Sequence, residues 1–103
     1  MPRFRETIPV DDYVLDVLMR DVVGHDRHPA AYLVYLSLYG QAARTKWKPI
    51  AVSLRGLAEM TGLSKSAVQT APALLRRREL ITTKRANATA LPRHSVLRHW
   101  RSK

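Results

Sequence analysis

The stretch SLRGLAEMTGLSKSAVQTAPALLRRRELI, residues 53–81, decides how the chain folds. It reads as two short helices joined by a tight turn. Ser53 is a start signal, because its hydroxyl can accept a hydrogen bond from a free amide in the first turn of a helix over Leu54 to Met60. Gly62 stops that helix: the residue after a helix end usually needs a positive φ, which glycine adopts without steric cost. Ser64 opens the second helix, eleven residues after the first start. The apolar pairs Val52 with Leu57 and Leu63 with Val68 flank the two starts as hydrophobic staples, fixing the angle at which the chain enters each helix.

The spacing Ala58, Gly62, Val68, Ala71, with Leu57 and Leu63 beside them, resembles the helix-turn-helix of the winged helix-turn-helix DNA-binding proteins. In that arrangement small Ala58 lets the helices cross closely, Gly62 makes the turn, and Val68 and Leu75 seat the second helix on the core. The likeness is close over residues 53–80 and extends loosely to a wing, residues 81–100, and to helices before it. It implies an α+β fold, mainly α, with three to four helices and a two-stranded β wing. It also implies binding to double-stranded DNA, with the second helix, residues 65–78, in the major groove. The segment VSLRGLAEMTGLSKSAV, residues 52–68, is also similar to the winged domains of phage and plasmid replication initiators. The resemblance thus implies either a bacterial or phage transcription regulator or a replication initiator, and winged helices that serve only as protein-interaction modules form a third reading.

With Val68, Ala71 and Leu75 turned inward on a helical wheel, Ser66, Gln69, Thr70, Ala73 and Arg77 face out, and Lys65 flanks the first turn. On the resemblance, Lys65, Ser66, Gln69 and Thr70 are the candidates for reading bases. Gln pairs in a bidentate way with adenine, Lys donates to guanine, and Ser or Thr bonds either base or phosphate. Ser53, Arg55, Ser64, Arg77, Lys84, Arg85 and Arg93 are the candidates for phosphate contacts. The bland alternative is a solvated polar helix face. Pro72 departs from the family pattern. An interior proline removes an amide donor, crowds the preceding turn and costs on the order of 3 kcal/mol, so it kinks or ends the helix. A break there rotates Leu74 and Leu75 together onto the core, and leaves Lys65 to Thr70 as the safer groove contacts.

Charge is divided unevenly along the 103 residues, whose formal net charge is +10. Residues 1–43 carry four Lys/Arg against six Asp/Glu, and residues 44–103 carry fourteen against two. The basic part is the part that holds the helix-turn-helix, and such a gradient attracts a polyanion and orients it toward one face. The length suits one domain. Absence of cysteine excludes disulfides, thiol catalysis and cysteine-ligated metal. With no signal segment and no apolar run long enough for a membrane span, the expected setting is cytoplasmic and nucleoid-associated. No nucleophile-base pair or phosphate loop is present, so no enzyme and no cofactor are expected.

Before residue 53, residues 1–9 read as an arm, whose Arg3 and Arg5 suit a minor groove or simply a frayed end. Asp11 or Asp12 can cap a helix to about Val23 with an apolar stripe of Val14, Leu15, Leu18 and Val22, Asp12, Asp16 and Asp21 facing away. GHDRHP, residues 24–29, is a break; His25, Asp26 and His28 have the composition of metal ligands but lack further ligands at a defined distance, so no metal is expected. Ala30 to Ala43 is apolar almost all round, the mark of a central buried helix. Its Tyr32, Tyr35 and Tyr39 follow helical spacing as core or dimer interface, or else cradle a small aromatic effector. A basic loop with Trp47 and a short strand at 50–52 follow. Arg76, Arg77 and Arg78 complement a helix dipole or reach phosphates. Ile81 to Arg85 and Arg93 to Arg98 read as a hairpin turning near Asn87, after which Val96, Leu97 and Trp100 fold back onto the first helices. Because a lone domain reads few base pairs, a homodimer is a further expectation.

Overall fold

The computed structural model describes residues 6–101; the arm's Arg3 and Arg5 lie outside them. An opening π-helix (Val14–His25) is followed by α1 (Pro29–Arg44), β1 (Ile50–Ala51), α2 (Leu54–Thr61), α3 (Lys65–Gln69), α4 (Ala71–Arg77), β2 (Ile81–Lys84) and β3 (Arg93–Val96). A 3-10 turn over His99–Arg101 closes the described chain. The result is a mainly helical α+β chain with a three-stranded antiparallel sheet, compatible with a winged-helix-like fold. The sheet order is β1-β3-β2, so the two-stranded wing gains β1 as a third strand, Ile50 opposite His94 and Ala51 opposite Arg93. None of the described helices is long and apolar enough to cross a membrane.

α1 sits at the centre because it is apolar on nearly every side. It buries Ala31, Tyr32, Val34, Tyr35, Leu38, Tyr39 and Ala42. The three tyrosines are core, and each hydroxyl meets a backbone group, as a buried polar tip must: Tyr32 donates to Val14 O at 2.9 Å, Tyr35 donates to Leu97 O at 2.8 Å, and Tyr39 accepts from Asp11 N at 3.2 Å. Trp47 packs edge-on against Tyr39, and the Arg98 guanidinium lies 3.5 Å above its ring centre. Pro29 occupies the first turn of α1, and His28 caps it, Nδ1 accepting from Ala31 N at 3.1 Å.

The opening helix departs from expectation in two ways. No side chain caps it. Asp11 supplies only its carbonyl, to Val14 N at 3.0 Å, because its carboxylate is taken by Trp100 Nε1 at 2.8 Å and by Arg101 Nε and Nη2 at 2.7 and 2.9 Å. Its winding is also wider than α, with bonds of the i→i+5 kind such as Asp26 N to Asp21 O at 2.8 Å. Four residues of an α-helix overshoot a full turn by about 40°, which would carry a stripe toward Leu15. In the wider helix four residues fall short of a turn, so the stripe drifts the other way. Val14, Leu18 and Val22 are accordingly buried, whereas Leu15 is 49% exposed.

Two long-range ion pairs tie the acidic segment to the basic one. Arg78 donates through Nε and Nη2 to the Asp26 carboxylate, the Nη2 contact at 3.0 Å, and Arg101 grips Asp11 in the same two-pronged way. Arg78, held first by its bond and then by its charge, lowers the Asp26 pKa from 3.8 to about 2, and Arg101 does the same to Asp11. A carboxyl with a depressed native pKa contributes stability above its unfolded value and loses it as pH falls through the native one. Acid unfolding followed by circular dichroism is therefore expected to fall mainly between pH 3.8 and about 2. In denaturant melts Arg78→Ala should cost about 1–3 kcal/mol, since it strands a carboxylate only 13% exposed. Arg77→Ala, on an exposed side chain, should change stability by less than about 0.5 kcal/mol.

Candidate nucleic-acid interface

The two serines that open the helix-turn-helix act as caps. Ser53 accepts from Gly56 N at 3.0 Å and Ser64 from Ala67 N at 3.1 Å, and Gly62 turns the chain between them at φ 77°. Leu57 and Val68, the inner members of the two staples, are fully buried. The second helix is not continuous over 65–78. It ends at Gln69, and α4 restarts at Ala71 with Pro72 in its first turn. The missing proline amide is harmless there, since a first-turn amide has no partner within the helix. The break sets Leu74 and Leu75 both on the core.

Lys65, Ser66 and Gln69 are exposed on α3, Ser66 with its hydroxyl 3.3 Å from that of Ser64. Thr70 is exposed too, but its hydroxyl is held by His28 Nε2 at 2.8 Å. Because His28 Nδ1 accepts from Ala31, its Nε2 carries the proton and donates to Thr70. Thr70 therefore anchors the α3–α4 joint to the start of α1, a structural duty that the helical wheel does not show.

The phosphate candidates divide between two faces of the wing. Cα partners in the β2–β3 register share a face, so Thr83 and His94 turn one way and Lys84 and Arg93 the other. On the α3 side, Ser53, Arg55, Lys65 and Arg85 border one depression, over Leu54 and Pro92. Beside it a cleft of about 430 Å³ is bordered by Gln69, Arg76, Arg85 and His94. Lys84 and Arg93 lie with Arg85 on the outer face, around a depression floored by Pro49 and Ala86. Like charges directly opposite on neighbouring strands repel, so Lys84 beside Arg93 favours a bound anion. Arg77 is exposed and borders none of these three depressions. Arg55 is spanned by an exposed pair to Glu59 at 3.5 Å, which leaves it largely available.

Two further residues stand at this surface: Arg76, which the sequence leaves between complementing a helix dipole and reaching phosphates, and His94, which is not among the sequence candidates. Arg76 stands apart from its neighbours in the arginine run, donating to Thr83 Oγ1 at 3.1 Å. His94 is only 3% exposed and faces Thr83 Oγ1 through Nδ1 at 2.9 Å. Burial, and then the charge of Arg76, push its pKa below the usual 6.5, so the ring is neutral near pH 7. Its signal in the sequence was strand alternation, since His94 lies two residues before buried Val96. The His25, Asp26 and His28 group holds no metal geometry: Asp26 is committed to Arg78 and His28 uses both ring nitrogens, and no cluster of metal ligands occurs among the described residues.

Comparisons with family models, with curated proteins and with solved structures returned no match. Thr70→Val tests the reassignment: denaturation should show a loss of about 1 kcal/mol, one neutral hydrogen bond. If Thr70 instead reads a base, preference between duplexes will change while stability stays put.

Proposed function

We propose that this chain binds double-stranded DNA sequence-specifically, presenting α3 to the major groove and the wing tip to the backbone, as a bacterial or phage transcription regulator. The observation that carries the reading is the convergence of Arg55, Lys65, Arg76 and Arg85 around two adjoining depressions beside α3, with no carboxylate on either lining. Residues 44–103 contain only two acids in all, Glu59 and Glu79. Such a field draws a polyanion to that face before any base is read. A replication initiator would use the same contacts, so the binding physics is common to both processes. The setting that fits is cytoplasmic and nucleoid-associated.

On this reading Lys65, Ser66 and Gln69 of the five-residue α3 contact bases, and so short an element covers few base pairs. Two-fold pairing of the chain on a palindromic site would supply the rest. Equilibrium sedimentation with and without duplex checks this, a monomer in both ruling it out.

Anisotropy of a random duplex titrated across a salt series is expected to give a log-log slope of about −4 or steeper, the mark of several phosphate contacts. No binding at low salt would overturn the proposal in favour of a protein-interaction module. On a selected cognate site Gln69→Ala should lower preference by about 1–3 kcal/mol, and Arg85→Ala should weaken every duplex alike.

A further inference from the structure

Arg76, Thr83 and His94 form a chain of hydrogen bonds. Arg76 can only donate, so Thr83 Oγ1 accepts from it at 3.1 Å, and the same hydroxyl pairs with His94 Nδ1 at 2.9 Å. Thr83 keeps a proton that it can give to Nδ1, and in that arrangement the neutral ring carries its own on Nε2. Among the described residues Nε2 has no hydrogen-bond partner, yet no buried side-chain nitrogen is left unsatisfied, so Nε2 is not sealed in. His94 borders the 430 Å³ cleft. A nearly buried histidine with a free ring nitrogen thus lines a hollow that also carries two guanidinium groups and no carboxylate.

The floor has a different chemistry. Ala73 and Pro92 present apolar surface in the same lining, with Pro72 buried behind them. A bare inorganic ion has no use for such a floor, whereas a pentose lies well on it. We propose that the cleft between α4 and the wing is a phosphate site that takes one sugar-phosphate unit. Arg76, Arg85 and the His94 Nε2–H hold the phosphate, and the sugar rests on Ala73 and Pro92. The shared chemistry has two sources, a phosphodiester of a DNA strand or the phosphomonoester of a free nucleotide. In the first case the site deepens the function proposed above and rests on it; in the second it stands alone. Because Gln69 and Arg85 border the cleft, a free nucleotide there would compete with duplex.

The test is nitrogen-15 NMR of the His94 ring in the full chain, titrated in turn with inorganic phosphate, deoxyadenosine 5′-monophosphate and a random duplex, with duplex binding scored by anisotropy in the same samples. The expected result is a saturable movement of the Nε2 signal with the monophosphate, the duplex or both, tighter for the monophosphate than for inorganic phosphate. Arg76→Ala, a change at an exposed side chain, should weaken that response about tenfold. Arg20→Ala, on the opening helix, should leave it unchanged. Movement with the monophosphate together with loss of duplex assigns the site to a competing nucleotide, and movement with duplex alone assigns it to the DNA backbone. A signal that stays still with every probe, or that moves identically in Arg76→Ala, overturns the site. Duplex bound without movement of His94 would do so while leaving the DNA-binding proposal intact, and a response to monophosphate without duplex binding would have the opposite meaning.

Discussion

The hydroxyls of Tyr32, Tyr35 and Tyr39 end on backbone groups from three places: the start of the opening helix, the residue after β3, and the turn before the opening helix. This is the constraint on which the rest depends. A helix as apolar as α1 has to be covered on every side, and hydrophobic burial alone would let its neighbours slide. Three directional bonds at the rim of the same helix fix the segments around it. With the covering segments so placed, Asp11 comes within reach of Trp100 and Arg101, and Asp26 within reach of Arg78. These ties join residues 52 to 90 positions apart.

Pro72 is the second constraint, and it sets helix length against core packing. An unbroken helix from Ser64 to Arg77 would hold one straight face toward solvent and would leave Leu74 partly on it. Ending α3 at Gln69 and restarting at Ala71 frees α4 to bury Ala71, Pro72, Leu74 and Leu75 together. The same change of direction opens a hollow between α4 and the wing, with Ala73 in its lining and Pro72 buried behind. A continuous helix would have had a longer exposed face. His28, bonded at once to α1 and to Thr70, holds the joint at this angle.

What the sequence made legible was the part governed by neighbours in the chain. Ser53, Ser64 and Gly62 act within one turn of themselves, so their residue types announce their roles, and the all-round apolar pattern of α1 has only one place to go. Alternation gave the wing its strands. The winding of the opening helix was not legible, because its first apolar residues fit an α stripe equally well until Leu15 is seen in solvent. Asp11 reads as a cap because a cap is a local partner, and its real partners lie 89 and 90 residues away. The arginine run shows the same limit. Arg76, Arg77 and Arg78 are alike in sequence, yet one joins β2, one meets only solvent and one is tied to Asp26, since successive positions on a helix point about 100° apart.

The distribution of acids explains why the charge on one face stays uncompensated. Asp11 and Asp26 are each spent on an arginine that comes from the basic part of the chain. Glu59 is matched to Arg55 only across solvent, where such a pair is worth little. Arg76 and Arg85 therefore line one depression beside α3 and Lys65 and Arg85 the next, with no carboxylate on either, and Lys84 and Arg93 stand opposite each other on the wing's outer face. Mutual repulsion of this kind lowers the stability of the free chain and is relieved when an anion enters. By linkage, anything that binds this face only in the folded state must stabilise the fold as it binds. The surface is thus left with uncompensated positive charge by the same assignment of partners that holds the two parts of the chain together.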